Sequence, residues 1–125
     1  MGRMCFLLLT LWIATGVDRA AQAQATIDTS LASRGQHVWN VKECGGCHAF
    51  GRQQSTGPDL VGVTDRRSLA WLRKWLKDPQ APDDRTSRTI RAQYDLQMPN
   101  MDLTDQEIDD LIALMAEQTR LHAKN

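Results

Sequence analysis

Cys44-Gly45-Gly46-Cys47-His48 is the stretch on which the reading of this 125-residue chain turns. It sets two thiols three positions apart and puts an imidazole directly after the second. On a helical turn, residues three apart share a face, so both sulfurs reach one edge of a flat ligand. His48 then projects its ring onto that ligand from one side, and Gly45 and Gly46 add no bulk between the sulfurs. Three other uses of the pair fit less well. A disulfide would close so small a loop that it would restrain the unfolded chain little. A thioredoxin-like pair needs a preceding strand and a βαβ context, and the flanks here carry no strand pattern. A zinc set of Cys44, Cys47, His48 and His37 is hindered because adjacent side chains do not readily turn inward on one tetrahedral ion. Ordinary zinc sites separate two ligand pairs along the chain.

What remains is Cys-x-x-Cys-His as a site of covalent haem attachment. The only other cysteine, Cys5, lies in a stretch that reads as a secretory signal. Arg3 supplies a positive start, Cys5 to Val17 is a largely apolar run, and Ala21-Gln22-Ala23 is a small-residue cleavage pattern. That run is shorter than the ~20 residues a membrane span needs. We therefore expect a signal over 1–23, an N-terminal extension over 24–32 and one domain over 33–125. The mature protein is expected in the periplasm, without a membrane span. So small a domain buries a modest core. Its remaining aromatics are Trp39, Phe50, Trp71, Trp75 and Tyr94, a thin supply that a covalent apolar cofactor would complete.

Haem iron in electron-transfer proteins commonly pairs His with Met. Beyond the signal the methionines are Met98, Met101 and Met115. Met115 continues the repeat Ile108, Leu111, Ile112, which reads as the apolar face of a helix. Met98 precedes Pro99, which biases it to extended backbone able to reach across a haem face. Met98 is thus preferred as sixth ligand over Met101, which lies close to the next helix cap. His37 and His122 read as solvent-facing and are the fallback.

The coarse elements are all helical. Ser33 to Val41 reads as a first helix directing Val38, Trp39 and Val41 toward the motif. Phe50 to Thr64 reads as a loop. In it Pro58 is a candidate acceptor for the second ring nitrogen of His48, which a metal-bound histidine needs. Ser68 caps a helix over Leu69 to Lys77, with Leu69, Leu72 and Leu76 as its buried stripe and Asp78-Pro79 as its stop. Trp71 and Trp75 lie beside that stripe and are candidates to edge the haem or donate to a propionate, as Arg66 and Arg67 are to meet propionates. A short helix follows from Ser87 to Gln93, with Ile90 and Tyr94 turned inward. Thr104 to Glu107 forms a capping box for the last helix, with Leu103 and Ile108 as its hydrophobic staple.

Formal charge sums to zero but is unevenly placed. The middle of the chain is basic and the segment from Asp95 onward acidic, a dipole suited to weak steering toward a partner. Neither half is extreme enough to point to nucleic acid.

The order Gly35/Trp39, Cys44-Gly-Gly-Cys47-His48, Gly57-Pro58-Asp59-Leu60, Met98-Pro99 and Leu111-Ile112-Ala113-Leu114 resembles class I monohaem cytochromes c. The resemblance runs from about Ser33 to the C-terminus. It implies an all-α cytochrome c-like fold of three to five helices wrapped around one covalently bound haem c. It implies His48 and Met98 as axial iron ligands, Pro58 as the carbonyl partner of His48, and Gly35 and Trp39 where the first helix crosses the last. Leu114 stands where the family often has an aromatic residue, which implies a looser crossing. A narrower likeness, carried by Trp71 to Pro79, Tyr94 and Met98-Pro99-Asn100, is to small cytochromes found with copper-chaperone and nitrous-oxide-reduction systems.

The function implied is that of a periplasmic, non-enzymatic, monomeric electron carrier that meets redox partner proteins transiently. The rivals are a haem-binding subunit of a larger oxidoreductase complex and a haem peroxidase or ligand sensor with a labile sixth ligand.

Overall fold

Ala32, Gly35 and Val38 recur at helical spacing and are all buried, so the first helix turns one continuous face inward. In the computed structural model, which describes residues 29–51 and 56–124, this helix, α1, runs over residues 29–41. It begins earlier than Ser33 because Ala32, only 1% exposed, extends the buried face by a turn. The signal over 1–23 lies outside the described residues. Val41, expected to turn toward the motif, is instead 62% exposed. It is the last residue of α1, where the chain leaves the helix.

The acidic C-terminal segment forms α5, Asp105–His122. The capping box is complete: Thr104 Oγ1 accepts from the Glu107 N–H at 3.2 Å, and the Thr104 N–H donates back to Glu107 at 2.8 Å. That bond holds the Glu107 carboxyl below its ordinary range. Leu103 and Ile108 are both buried, as a staple requires. Helix α1 crosses α5 at Gly35, where a Cβ would collide with the Asp110 carbonyl oxygen and stand 2.9 Å from the Leu114 Cβ. The contact at Leu114 is therefore close, not loose, because glycine lets the leucine fill the space against the helix backbone. Beside it Arg34 makes a two-pronged bond to the buried Asp110 carboxylate, at 3.0 and 2.9 Å, and Gln106 adds a third donor at 3.0 Å.

Between these helices lie three shorter ones. Helix α2, Val63–Arg66, is a single turn where the sequence reads as the end of a loop. Four residues carry no helix signal of their own. Packing supplies it: α2 lies on α5, and the Gly62 N–H, at φ 73°, donates to Thr119 Oγ1 at 2.8 Å. Helix α3, Leu69–Lys77, starts on the Ser68 cap and also packs on α5. Leu72 and Leu76 are buried, whereas Leu69 is 51% exposed, since the first residue of the helix stands before the contact with α5. Helix α4, Arg85–Gln93, starts two residues before Ser87 because Asp84 caps it.

The core gathers Val38 from α1, Leu72 and Leu76 from α3, Ile108, Leu111, Ile112 and Met115 from α5, and Leu60 and Leu103 from the connections. The protein is all-α. Among the described residues the only extended pairing is an isolated parallel bridge between Ala49 and Asp59.

Candidate functional site

The chain leaves α1 through Glu43, held in the left-handed region at φ 54°, and enters a 3₁₀ turn over Cys44–Gly46. The Cys44 carbonyl accepts from both the Cys47 N–H at 3.2 Å and the His48 N–H at 3.0 Å. This tightened turn brings Cys44, Cys47 and His48 onto the wall of one cavity of about 250 Å³. No disulfide joins the two cysteines. Burial pushes the Cys44 thiol up from its ordinary value, so it stays protonated at neutral pH. Gly45 sits against the Trp39 indole, where a Cβ would stand 3.1 Å from Nε1, whereas Gly46 has no protein atom nearby. Trp39 borders the cavity with its ring 4.7 Å from that of Phe50.

The segment after the partly described loop returns alongside the motif. The Gly57 N–H donates to the Cys47 carbonyl at 2.7 Å and the Leu60 N–H to the Ala49 carbonyl at 2.9 Å. These two bonds set the Pro58 carbonyl 2.9 Å from His48 Nδ1. A carbonyl only accepts, so Nδ1 carries the hydrogen and Nε2 keeps its lone pair for a metal. Gly57 has a role its place in a turn did not reveal. A Cβ there would stand 2.7 Å from His48 Cε1, so only glycine lets the ring lie in this plane.

The remaining wall is built by α3, α4 and the loop from Tyr94 to Leu103. Met98, Met101 and Met115 all border the cavity, as do Ile90 and Tyr94. Met115 belongs to the buried core of α5. Met101 is partly buried, and its carbonyl accepts from Lys42 Nζ at 3.0 Å. Met98 Sδ accepts from the Trp75 indole N–H at 3.3 Å. Both tryptophans have protein partners for their indole N–H groups. Trp75 is committed to Met98, and Trp71 donates to the Asp84 carboxylate at 2.9 Å. Asp84 also accepts from the Ser87 N–H and hydroxyl, which together hold its carboxyl below its ordinary range.

Arg66, Arg67 and Arg91 reach the cavity. Arg91 went unsingled by sequence; it is anchored on the carbonyls of Pro79 and Pro82 at 3.2 and 3.0 Å. His37 lies exposed on α1, and His122 donates from Nδ1 to the Gln118 carbonyl at the end of α5. Neither borders the cavity, and His48 is the one histidine that does among the described residues.

The cavity thus offers two thiols, one imidazole with a free Nε2, three thioethers and mostly apolar walls. That donor set fits an iron porphyrin joined through its vinyl groups. Arginines at the rim match its carboxylates.

The family model described as Cytochrome c matches residues 32–119. Among solved structures, a cytochrome c from Rhodothermus marinus is similar, with a TM-score of 0.70 and 22% sequence identity, covering 76% of this chain and 82% of that one. At that identity the likeness speaks for the fold alone. No curated protein matches.

Proposed function

From the membership of this chain in the cytochrome c family, whose cofactor is covalent haem c and whose work is electron transport, we propose that it is a periplasmic carrier with His/Met-ligated iron. One observation carries this reading. His48, with Nδ1 tied to Pro58, borders the same apolar cavity as Met98. Haem c, when bound, supplies a one-electron ferrous–ferric couple.

Each residue then has a defined task. Cys44 and Cys47 hold the porphyrin edge through thioethers. His48 offers Nε2 to the iron while Pro58 stops the ring from rotating, and Gly57 leaves room for it. Met98 offers Sδ as sixth ligand, which raises the reduction potential relative to a second imidazole. With both ligands held by protein contacts, little reorganises when the charge changes. Partners meet the carrier transiently through a small surface, as redox encounters do, and the protein acts as a monomer without substrate chemistry.

The reading is tested by producing the protein with a haem-attachment system and denaturing it. Haem should stay bound to the chain; release under denaturation would end the proposal. Met98→Ala should abolish the sulfur-to-iron charge-transfer band of the ferric protein and Met101→Ala should keep it. The reverse result would move the sixth ligand to Met101.

A further inference from the structure

A methionine in a loop is a poor fixed ligand unless something holds it. Its side chain is unbranched and flexible, and Pro99 deprives the following position of a backbone donor. Met98 lies outside every helix, so no regular ladder holds it. Two side chains from the α3 side reach it instead. Trp75, on the last turns of α3, donates its indole N–H to Sδ at 3.3 Å, and Gln80, just beyond the Pro79 stop, donates its amide to the Met98 carbonyl at 3.1 Å. One bond grips the sulfur and the other the backbone.

The grip on the sulfur is itself braced. The Trp75 ring is stacked on Trp71 at 5.1 Å with an interplanar angle of 17°. Trp71 in turn is held by Asp84, the cap of α4. A line of contacts therefore runs from the start of α4 through two stacked indoles to the thioether. The far end of the loop is tied to the same helix, since Lys77 Nζ donates to the Leu103 carbonyl at 3.3 Å and to Asp105 at 2.8 Å.

Resting on the ligand assignment proposed above, we propose that Trp75 and Gln80 are positioning residues that clamp Met98 for the iron. A thioether sulfur has two lone pairs. An N–H on one leaves the other for the metal, so the clamp and the iron bond are compatible. The two residues act differently. Trp75 both orients the sulfur and draws electron density from it, which disfavours the ferric state and raises the potential. Gln80 touches only the backbone, so it restrains the loop without altering the sulfur. The clamp also sets how readily an outside ligand displaces Met98, which separates a closed carrier from an open-site haem protein.

The experiment uses the haem-loaded full-length protein with Trp75→Phe, which keeps an aromatic ring but loses the donor, and Gln80→Glu, which keeps the shape of an exposed side chain but loses the amide. Three readouts apply: the ferric charge-transfer band, the reduction potential, and the affinity of ferric protein for imidazole. Trp75→Phe should shift the band, lower the potential and tighten imidazole binding about tenfold, the worth of one lost hydrogen bond. Gln80→Glu should tighten imidazole binding by a similar factor; its potential is not compared, because the new carboxylate charge beside the cavity lowers it whatever the bond to Met98. The clamp is overturned if the wild-type band is abolished by Met98→Ala while neither variant moves imidazole affinity. If Trp75→Phe fails to fold, the Gln80→Glu result decides alone. A wild-type protein with no such band would instead overturn the ligand assignment, and the clamp with it.

Discussion

The α1–α5 crossing and the α3 side of the cavity are built on opposite terms. At the crossing the protein completes itself. Gly35 lets two backbones meet, Leu111 and Leu114 are each 1% exposed, and Asp110 is satisfied by Arg34 and Gln106. At the cavity, Trp39, Trp71, Met98 and Met101 are only partly buried against the core. Trp71 pairs its indole N–H with Asp84 and Met98 its sulfur with Trp75, and both border the cavity. The frame therefore rests on contacts within the protein, while haem c, when bound, would cover part of the wall.

The largest effect that would break this contrast is expected at Gly35. Gly35→Val drives branched atoms into the Asp110 carbonyl and the Leu114 side chain, and overpacking of this kind costs about 3 kcal/mol. Thermal melts of the haem-loaded protein should show a fall in Tm on the order of 10 °C. If loading with haem restored the full wild-type Tm, the crossing would not be an independent frame.

A smaller, local effect is expected at Gly57, on the cavity side. Gly57→Ala must push the His48 ring off its bond to Pro58, which costs about 1–2 kcal/mol. It should alter the absorption spectrum of the loaded protein. Gly46→Ala, with no neighbouring protein atom, should leave spectrum and Tm unchanged. Equal behaviour of the two would mean that the His48 plane is set by something other than Gly57.

The smallest expected effect returns to the frame. Thr104→Ala removes the α5 cap and should cost about 1 kcal/mol in a denaturant melt at neutral pH. The cap is linked to pH through Glu107, whose folded pKa is depressed by the Thr104 N–H. A depressed carboxyl contributes stability above its unfolded value, roughly 4.3, and loses it as pH falls through the folded value. The Glu107 contribution should therefore be flat from pH 5 to 8 and decline progressively as pH falls below about 4, vanishing only below the folded value.

The wall was less legible than the frame, and particular residues show why. The capping box, Ser68 and the Ile108 to Met115 repeat are relations within one turn or one helix, so spacing alone revealed them. Leu69 and Val41 have the composition of core residues but stand at helix ends, where position relative to a neighbour decides burial. Helix α2 has too few residues to announce itself and exists through its contact with α5. Gln80 sits after a Pro with no neighbouring signal that it would reach Met98, and Trp75 reads as a residue beside the α3 stripe, a candidate to edge the haem or meet a propionate.

The sequence by itself determined the haem-attachment motif, the all-helical class, the bounds of α3 and the start of α5, because each depends on neighbours no more than a few positions apart. Only the tertiary structure decided that Pro58 meets His48, that Gly35 seats α1 on Asp110 and Leu114, and that Trp75 reaches the sulfur of Met98. These pairs join elements far apart along the chain, and their geometry exists only after hydrophobic burial has brought the helices together.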